Sequence, residues 1–193
     1  NGHLSRDFVH AAQDAVAARD GVALRALIDQ IHEADTGDLI EALSEDDRTE
    51  FVRLLGTDFD FTTLVELDEN TRLKIVETLP PTEVAEGLRE IDSDDAVYIL
   101  EDLDEGEQRQ ILDRMPEAER APLQRSLEFP EESAGRRMQS EFIAVPPFWT
   151  VGQTIDYMRD SDDLPSEFYE IFIVDPAFRP IGTVTLNHLL RSK

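Results

Sequence analysis

Stepping through the sequence by twelve from Ile31 lands on Leu43, Leu55, Leu67, Leu79, Ile91, Leu103, Met115 and Leu127, all apolar. A second apolar row lies three residues upstream. It runs through Ile28, Ile40, Val52, Leu64, Val76, Leu88, Leu100 and Leu112, and turns polar only at Gln124. Self-similarity at a fixed period marks an internal repeat. Apolar residues three or four apart share one face of a helix, not of a strand. Each unit of twelve then holds about two turns of helix and a connection. Caps and breakers follow the main row at Ser44, Gly56, Asp68, Pro80, Asp92, Asp104 and Pro116. Helices this short are unstable alone and must stack to bury their stripe. The pattern predicts a mainly α chain, with a superhelical stack of short helices over residues 1–129. The stretch Thr57-Asp58-Phe59-Asp60-Phe61 reads as a loop between helices.

The period ends at Leu127. EFPEESAGRRM follows, with Pro130, Gly135 and two arginines, and residues 130–137 read as a linker or hinge. Beyond it the grammar changes. FIAV (142–145) is a short strand, and Thr150 can cap a helix with Val151, Ile155 and Met158 on its apolar side. YEIFIVD (169–175) and IGTVTL (181–186) form a hairpin, and NHLLRSK starts a last helix. The order β-α-β-β-α over residues 138–193 is that of a small α/β motif.

Charge changes the picture most. The net charge is −25. Residues 130–193 hold six bases against ten acids, a net of −4, which leaves −21 for residues 1–129. Such a surface repels phosphate backbones, so no nucleic-acid partner is expected. It also repels itself, and divalent cations would relieve that; a saline habitat is the bland account of the same surplus. There is no cysteine, which excludes disulfides and thiolate chemistry. The N-terminal NGHLSRDF has no apolar signal region, and no apolar run approaches the roughly 20 residues of a membrane span. The chain reads as soluble. No GxSxG, HExxH, P-loop or glycine-rich dinucleotide turn is present, so it reads as no enzyme.

The acids are densest in EIDSDDAVYILEDLDEGE, residues 90–107, with nine acids and no base in eighteen residues. Asp92, Asp94 and Asp95 fall at one helix start and Asp104, Glu105 and Glu107 at the next, where carboxylates cap free N–H groups and favour the helix dipole. Helix starts in a stack lie on related edges, which gathers oxygens suited to hard divalent ions. Asp92, Asp94, Asp95 and Glu101 are the candidate metal residues, with Asp162, Asp163 and Glu167 as weaker candidates further on. His3, His10 and His32 form no ligand set, and Phe148 and Trp149 read as packing residues.

FIAVPPFWTVGQTIDYM and YEIFIVDPAFRPIGTVTLNHLL together resemble a CBS motif (the cystathionine-β-synthase type). Joined through Pro130-Glu131-Glu132-Ser133-Ala134-Gly135-Arg136-Arg137-Met138 to an acidic helical repeat, the whole resembles the cytosolic part of MgtE-family magnesium transporters. The resemblance implies a second CBS motif, a homodimer and the protein's own transmembrane pore, at the cytoplasmic face of the membrane. It implies Mg2+ held between helical and CBS parts; Mn2+, Co2+ and Ca2+ satisfy similar oxygen sites. In the family an acidic helix start D-D-x-x-D faces an Ala-Gly-Gly linker. Asp94 and Asp95 match the first two acids, Tyr98 stands where the later acid would be, Gly135 matches the first glycine and Arg136 replaces the second. One expectation is that the Arg136 guanidinium pairs with Asp94 or Asp95 in place of part of the ion; the other is that it points to water. Of the CBS nucleotide pattern, Thr185 matches the phosphate-binding hydroxyl and His188 replaces the ribose-binding acid, so an adenine nucleotide is not expected.

Three readings remain open at the level of sequence. The first is a Mg2+-sensing regulatory region that gates a pore. The second is a protein-interaction scaffold, since such helices also resemble segments of a flagellar motor-switch protein. The third is an adenine-nucleotide-sensing CBS module.

Overall fold

A computed structural model describes residues 4–161, 164–165 and 168–192, without the side chain of Glu33. It divides into two compact units, one running to Met138 and the other starting at Gln139.

The first unit is a stack of helices. They are α1 (Arg6–Ala17), α2 (Gly21–Ile28), α3 (Glu33–Ala42), α4 (Glu45–Leu55), α5 (Glu69–Thr78), α6 (Pro81–Leu88), α7 (Ser93–Leu100), α8 (Glu105–Leu112) and α9 (Glu117–Leu127). From α2 to α9 every start falls on the twelve-residue grid. The single gap is at 57, where 3-10 turns at Gly56–Asp58 and Phe61–Glu66 replace a helix. Gly56 causes the gap. Its φ of 56° ends α4 in a conformation that suits glycine. Asp60 then accepts a hydrogen bond from the Thr62 amide and starts the second turn. The stretch does connect two helices, but Phe59 and Phe61 are buried there with ring centroids 5.6 Å apart, while Thr57, Asp58 and Asp60 are exposed.

The apolar rows lie where the period demands. Residues of the main row immediately precede the helix caps, and with the upstream row they enter one continuous core. Helices pack on neighbours two places along, α2 on α4, α6 on α8 and α7 on α9. A second twelve-residue device closes the helix ends. Arg48, Arg72 and Gln108, each in the first turns of its helix, reach back to carbonyls of the preceding helix end. Arg48 donates to Ile40 and Leu43, Arg72 to Leu64 and Leu67, and Gln108 to Leu100 and Leu103. A short helix has a high share of carbonyls without partners, and these side chains supply them.

Residues 130–137, read from sequence as a hinge, fall in this first unit and carry a 3-10 turn at Ala134–Arg137. The turn packs on α7 and α9.

The second unit has β1 (Ile143–Val145), α10 (Val151–Asp160), β2 (Glu170–Val174), β3 (Pro180–Thr185) and α11 (Leu186–Arg191). β1 pairs parallel with β2, and β2 pairs antiparallel with β3. The predicted order of elements is found, and the molecule is mainly α with one small mixed sheet. Ile143, Val145, Ile171 and Leu189 form its buried core, with Trp149, Val151, Ile155 and Met158 packed on them. Trp149 packs edge-on against Tyr157 at 5.3 Å, whereas Phe148 stands 78% exposed and is no packing residue. On the other sheet face Phe142 meets Phe172 at 6.0 Å and Phe178 at 6.1 Å around an open cavity of about 420 Å³.

Candidate functional site

The site is built around α7. Ala96, Val97, Ile99 and Leu100 are buried and fix which way the helix faces. Asp92 takes the extended conformation of an N-cap, and Asp94 and Asp95 fill the first turn. Glu66, at the end of the 3-10 turn packed on α7, is close enough to Asp95 for its charge to be felt.

This end of α7 is unbalanced. Burial raises the Asp95 carboxyl above its usual pKa, and the charges of Asp94, Asp92 and Glu66 push it further the same way. Asp94 Oδ1 is buried with no hydrogen-bond partner. Among the described residues no ion pair reaches Asp94, Asp95 or Glu66. The oxygens are hard donors that suit a divalent ion. They are not a finished ligand shell: among the described residues no group of three or more acids and histidines is close enough to hold a metal directly. An ion here would keep much of its water, as Mg2+ commonly does.

The other end of α7 carries as much acid and is neutralised. Glu101 accepts a hydrogen bond from Arg137 Nη1 at 2.6 Å, and Asp102 accepts one from Arg72 Nε at 2.7 Å. Both arginines lie over the Tyr98 ring, their guanidinium carbons 4.4 Å (Arg72) and 5.5 Å (Arg137) from its centroid. Burial would lower the Arg72 pKa, but the hydrogen bond and charge of Asp102 outweigh it and raise it.

The structure therefore separates the predicted metal residues. Asp92, Asp94 and Asp95 stand together. Glu101 is seven residues past Asp94, about 10 Å along the helix, and is engaged by Arg137. Tyr98 stands where an acid would extend the cluster and instead gathers two cations. Gly135 lies against the Phe129 ring, where a Cβ would come within 2.7 Å of it. Neither expectation for Arg136 holds. It pairs with neither Asp94 nor Asp95, and it does not point to water: it is 8% exposed, with Nε buried and unpartnered. Its neighbour Arg137 does form an ion pair, but with Glu101. Asp162, Asp163, Glu167 and His3 lie outside the described residues. His10 is exposed on α1, and His32 caps α3 through Nδ1.

In the second unit, Thr185 caps α11 by accepting from the His188 amide at 3.3 Å. His188 lines a cavity of about 150 Å³ with Trp149, Thr154 and Ser192. Thr185 is not part of that lining.

Sequence reading missed Arg72, Asp102, Arg137 and Glu66. The spacing of Arg72 from Arg48 and Gln108 by multiples of twelve was the available signal for the first. Nothing in the pattern pointed to the others, which meet α7 through the fold.

No curated protein matches the sequence. Among the solved structures that share the fold are two magnesium-transporter structures. One, described as the soluble part of a magnesium transporter, is 19% identical, with a TM-score of 0.77 over 97% of this chain and 74% of that one. The other, described as the cytosolic domain of the Mg2+ channel MgtE in complex with ATP, is 26% identical, with a TM-score of 0.84 over 96% of this chain and 76% of that one. Among the described residues no helix is long and apolar enough to cross a membrane. Residues 31–132, more than half of the chain, match the MgtE intracellular N domain family, so the chain belongs to the MgtE family and represents its cytosolic region.

Proposed function

We propose that this chain is the Mg2+-sensing regulatory part of a magnesium transporter, at the cytoplasmic face of the membrane. The observation that carries the reading is the unbalanced start of α7, with Asp94 Oδ1 buried and unpartnered and Asp95 held among like charges. Divalent ions there relieve the repulsion, and so favour whichever arrangement of the acidic unit and the second unit brings carboxylates closest together. Asp92, Asp94 and Asp95 hold the ion, with Glu66 adding charge. Glu101 is left out because Arg137 already balances its charge through Oε1. One carboxylate binds Mg2+ feebly, so several act at once and through water. Mn2+, Co2+ and Ca2+ satisfy the same oxygens.

On this reading the second unit is a CBS motif. Its open face at Phe142, Phe172 and Phe178 is covered by a second motif of the same kind, within a homodimer that carries the transmembrane pore. The chain performs no catalysis.

The test is small-angle scattering while Mg2+ is titrated from zero to about 20 mM, with NaCl matched for ionic strength. The expected result is a saturable contraction specific to Mg2+ that Asp94→Ala/Asp95→Ala weakens. Equal contraction by NaCl, or none, rejects ion-dependent docking.

A second reading has one observation behind it: the similar MgtE structure described with ATP. In this chain the cavity beside His188 is about 150 Å³, below the roughly 300 Å³ of ordinary ligand pockets. Nucleotide binding would require that cavity to widen. Calorimetry with ATP and AMP decides it, and saturable heat lost in His188→Ala would establish the site.

A further inference from the structure

Residues 130–138 are built into the helical unit more firmly than a linker requires. Ser133 Oγ donates to the Pro130 carbonyl at 2.6 Å and accepts from the Arg136 amide at 3.4 Å, which closes the turn on itself. Gly135 sits against the ring of Phe129. Arg136 is buried in the same unit. Arg137 then reaches α7, where its guanidinium lies over Tyr98 and donates to Glu101. The same ring takes Arg72 from α5, whose charge is balanced by Asp102.

Each part needs the others. Two guanidiniums on one phenol ring would repel, and Glu101 and Asp102 cancel that repulsion. Arg137 holds Glu101 through Oε1; Oε2 is buried without a partner, and the 13% exposed Glu101 side chain limits screening on its side of the pair. Arg72 cannot swing away, because it also holds the Leu64 and Leu67 carbonyls. All the charges in this cluster belong to the chain.

We infer that residues 130–138 are fastened to the helical unit by a clasp that needs no bound ion, in which Tyr98 gathers Arg72 and Arg137 while Asp102 and Glu101 lock them. Motion between the two units is then taken up after Met138, in the residues that lead to β1, and not in the segment whose proline and glycine suggest a hinge. The inference does not depend on ion sensing, because the clasp lies at the neutralised end of α7.

Hydrogen–deuterium exchange on the whole chain, in EDTA and in about 20 mM Mg2+, tests it. In EDTA, amides of 134–138 exchange as slowly as those of α9, and Mg2+ leaves them unchanged. Tyr98→Leu and Arg137→Gln each speed exchange at 134–138 by about tenfold, as expected for a lost cation–π contact or charge-assisted hydrogen bond, while α8 is unaffected. Fast exchange at 134–138 in wild type without Mg2+ overturns the clasp, and so does an absence of change in Arg137→Gln. Should Tyr98→Leu loosen α7 as a whole, Arg137→Gln decides alone, since its half-exposed side chain lies outside the core. Loss of Mg2+-dependent contraction with unchanged exchange at 134–138 would reject ion sensing and leave the clasp standing.

Discussion

The two ends of α7 meet the same problem with opposite solutions. At the start, Asp92, Asp94 and Asp95 crowd with Glu66, and no arginine pairs with Asp94, Asp95 or Glu66 among the described residues. At the end, Glu101 and Asp102 each hold one arginine, and a tyrosine ring lies under both guanidiniums. The helix dipole favours acids at the start and opposes them at the end, and among the described residues it is Glu101 and Asp102 at the end, not Asp94 and Asp95, that hold arginines. A carboxylate with a tethered arginine has its charge balanced within the chain. A carboxylate without one responds to protons and ions in solution. The difference separates what holds the unit together from what can sense.

The neutralised end should break hardest. Arg72 is 3% exposed in its side chain and serves Asp102, Tyr98 and two carbonyls at once. Arg72→Ala leaves Asp102 largely buried and unpaired, a change expected to cost about 3–5 kcal/mol in urea unfolding. Arg72→Met/Asp102→Leu should recover part of that, because removing both partners leaves no bare charge. Equal stability of single and double variants would show that the carbonyl contacts, and not the ion pair, are what Arg72 contributes.

The open end should sharpen the contrast through Mg2+. If the ion binds the native start of α7, at ten times its dissociation constant it adds about 1.4 kcal/mol of stability. Asp94→Asn/Asp95→Asn should abolish that gain. Glu101→Gln should keep it, though it lowers the starting stability by about 1 kcal/mol through the lost charged hydrogen bond. Thermal unfolding with Mg2+ against matched NaCl reads all three. A gain that vanishes in Glu101→Gln would place the ion at the wrong end.

Much of this arrangement was legible in the sequence. The apolar period fixed the helix starts because a twelve-residue unit has only one way to bury its stripe. Asp92, Asp94 and Asp95 were found because caps and first-turn acids obey local rules. The exception at 57 was not legible: Gly56 falls at an ordinary cap position, and only its φ shows that the chain turns aside. Glu101 was grouped with the acids at the start of α7, whereas the structure pairs it with Arg137 at the other end. Its partner Arg137 is 36 residues away, and proximity in sequence said nothing of that pairing. Arg136 and Arg137 are likewise indistinguishable as letters. Which of them is buried without an ion pair, and which reaches Glu101, is set by the 3-10 turn that carries them.

The smallest effect is the most direct probe of the unbalanced end. The Asp95 pKa is raised, first by burial and then by Asp94, Asp92 and Glu66. Between the unfolded carboxyl value and the higher folded one, the native state holds more protons than the unfolded state. Stability from this group therefore falls as pH rises through that window and stays low above it. Asp95→Asn, which mimics the protonated acid, should stabilise at neutral pH, and the gain should shrink to nothing as pH falls below the window. Asp95 is only partly buried, so screening holds the gain to about 0.5 kcal/mol. The helix dipole acts the other way, since it favours a charged Asp95 in the first turn. A loss of stability in Asp95→Asn at neutral pH would mean that the dipole outweighs burial and the three neighbouring carboxylates. The start of α7 would then be a capped helix end with no charge left for an ion to relieve.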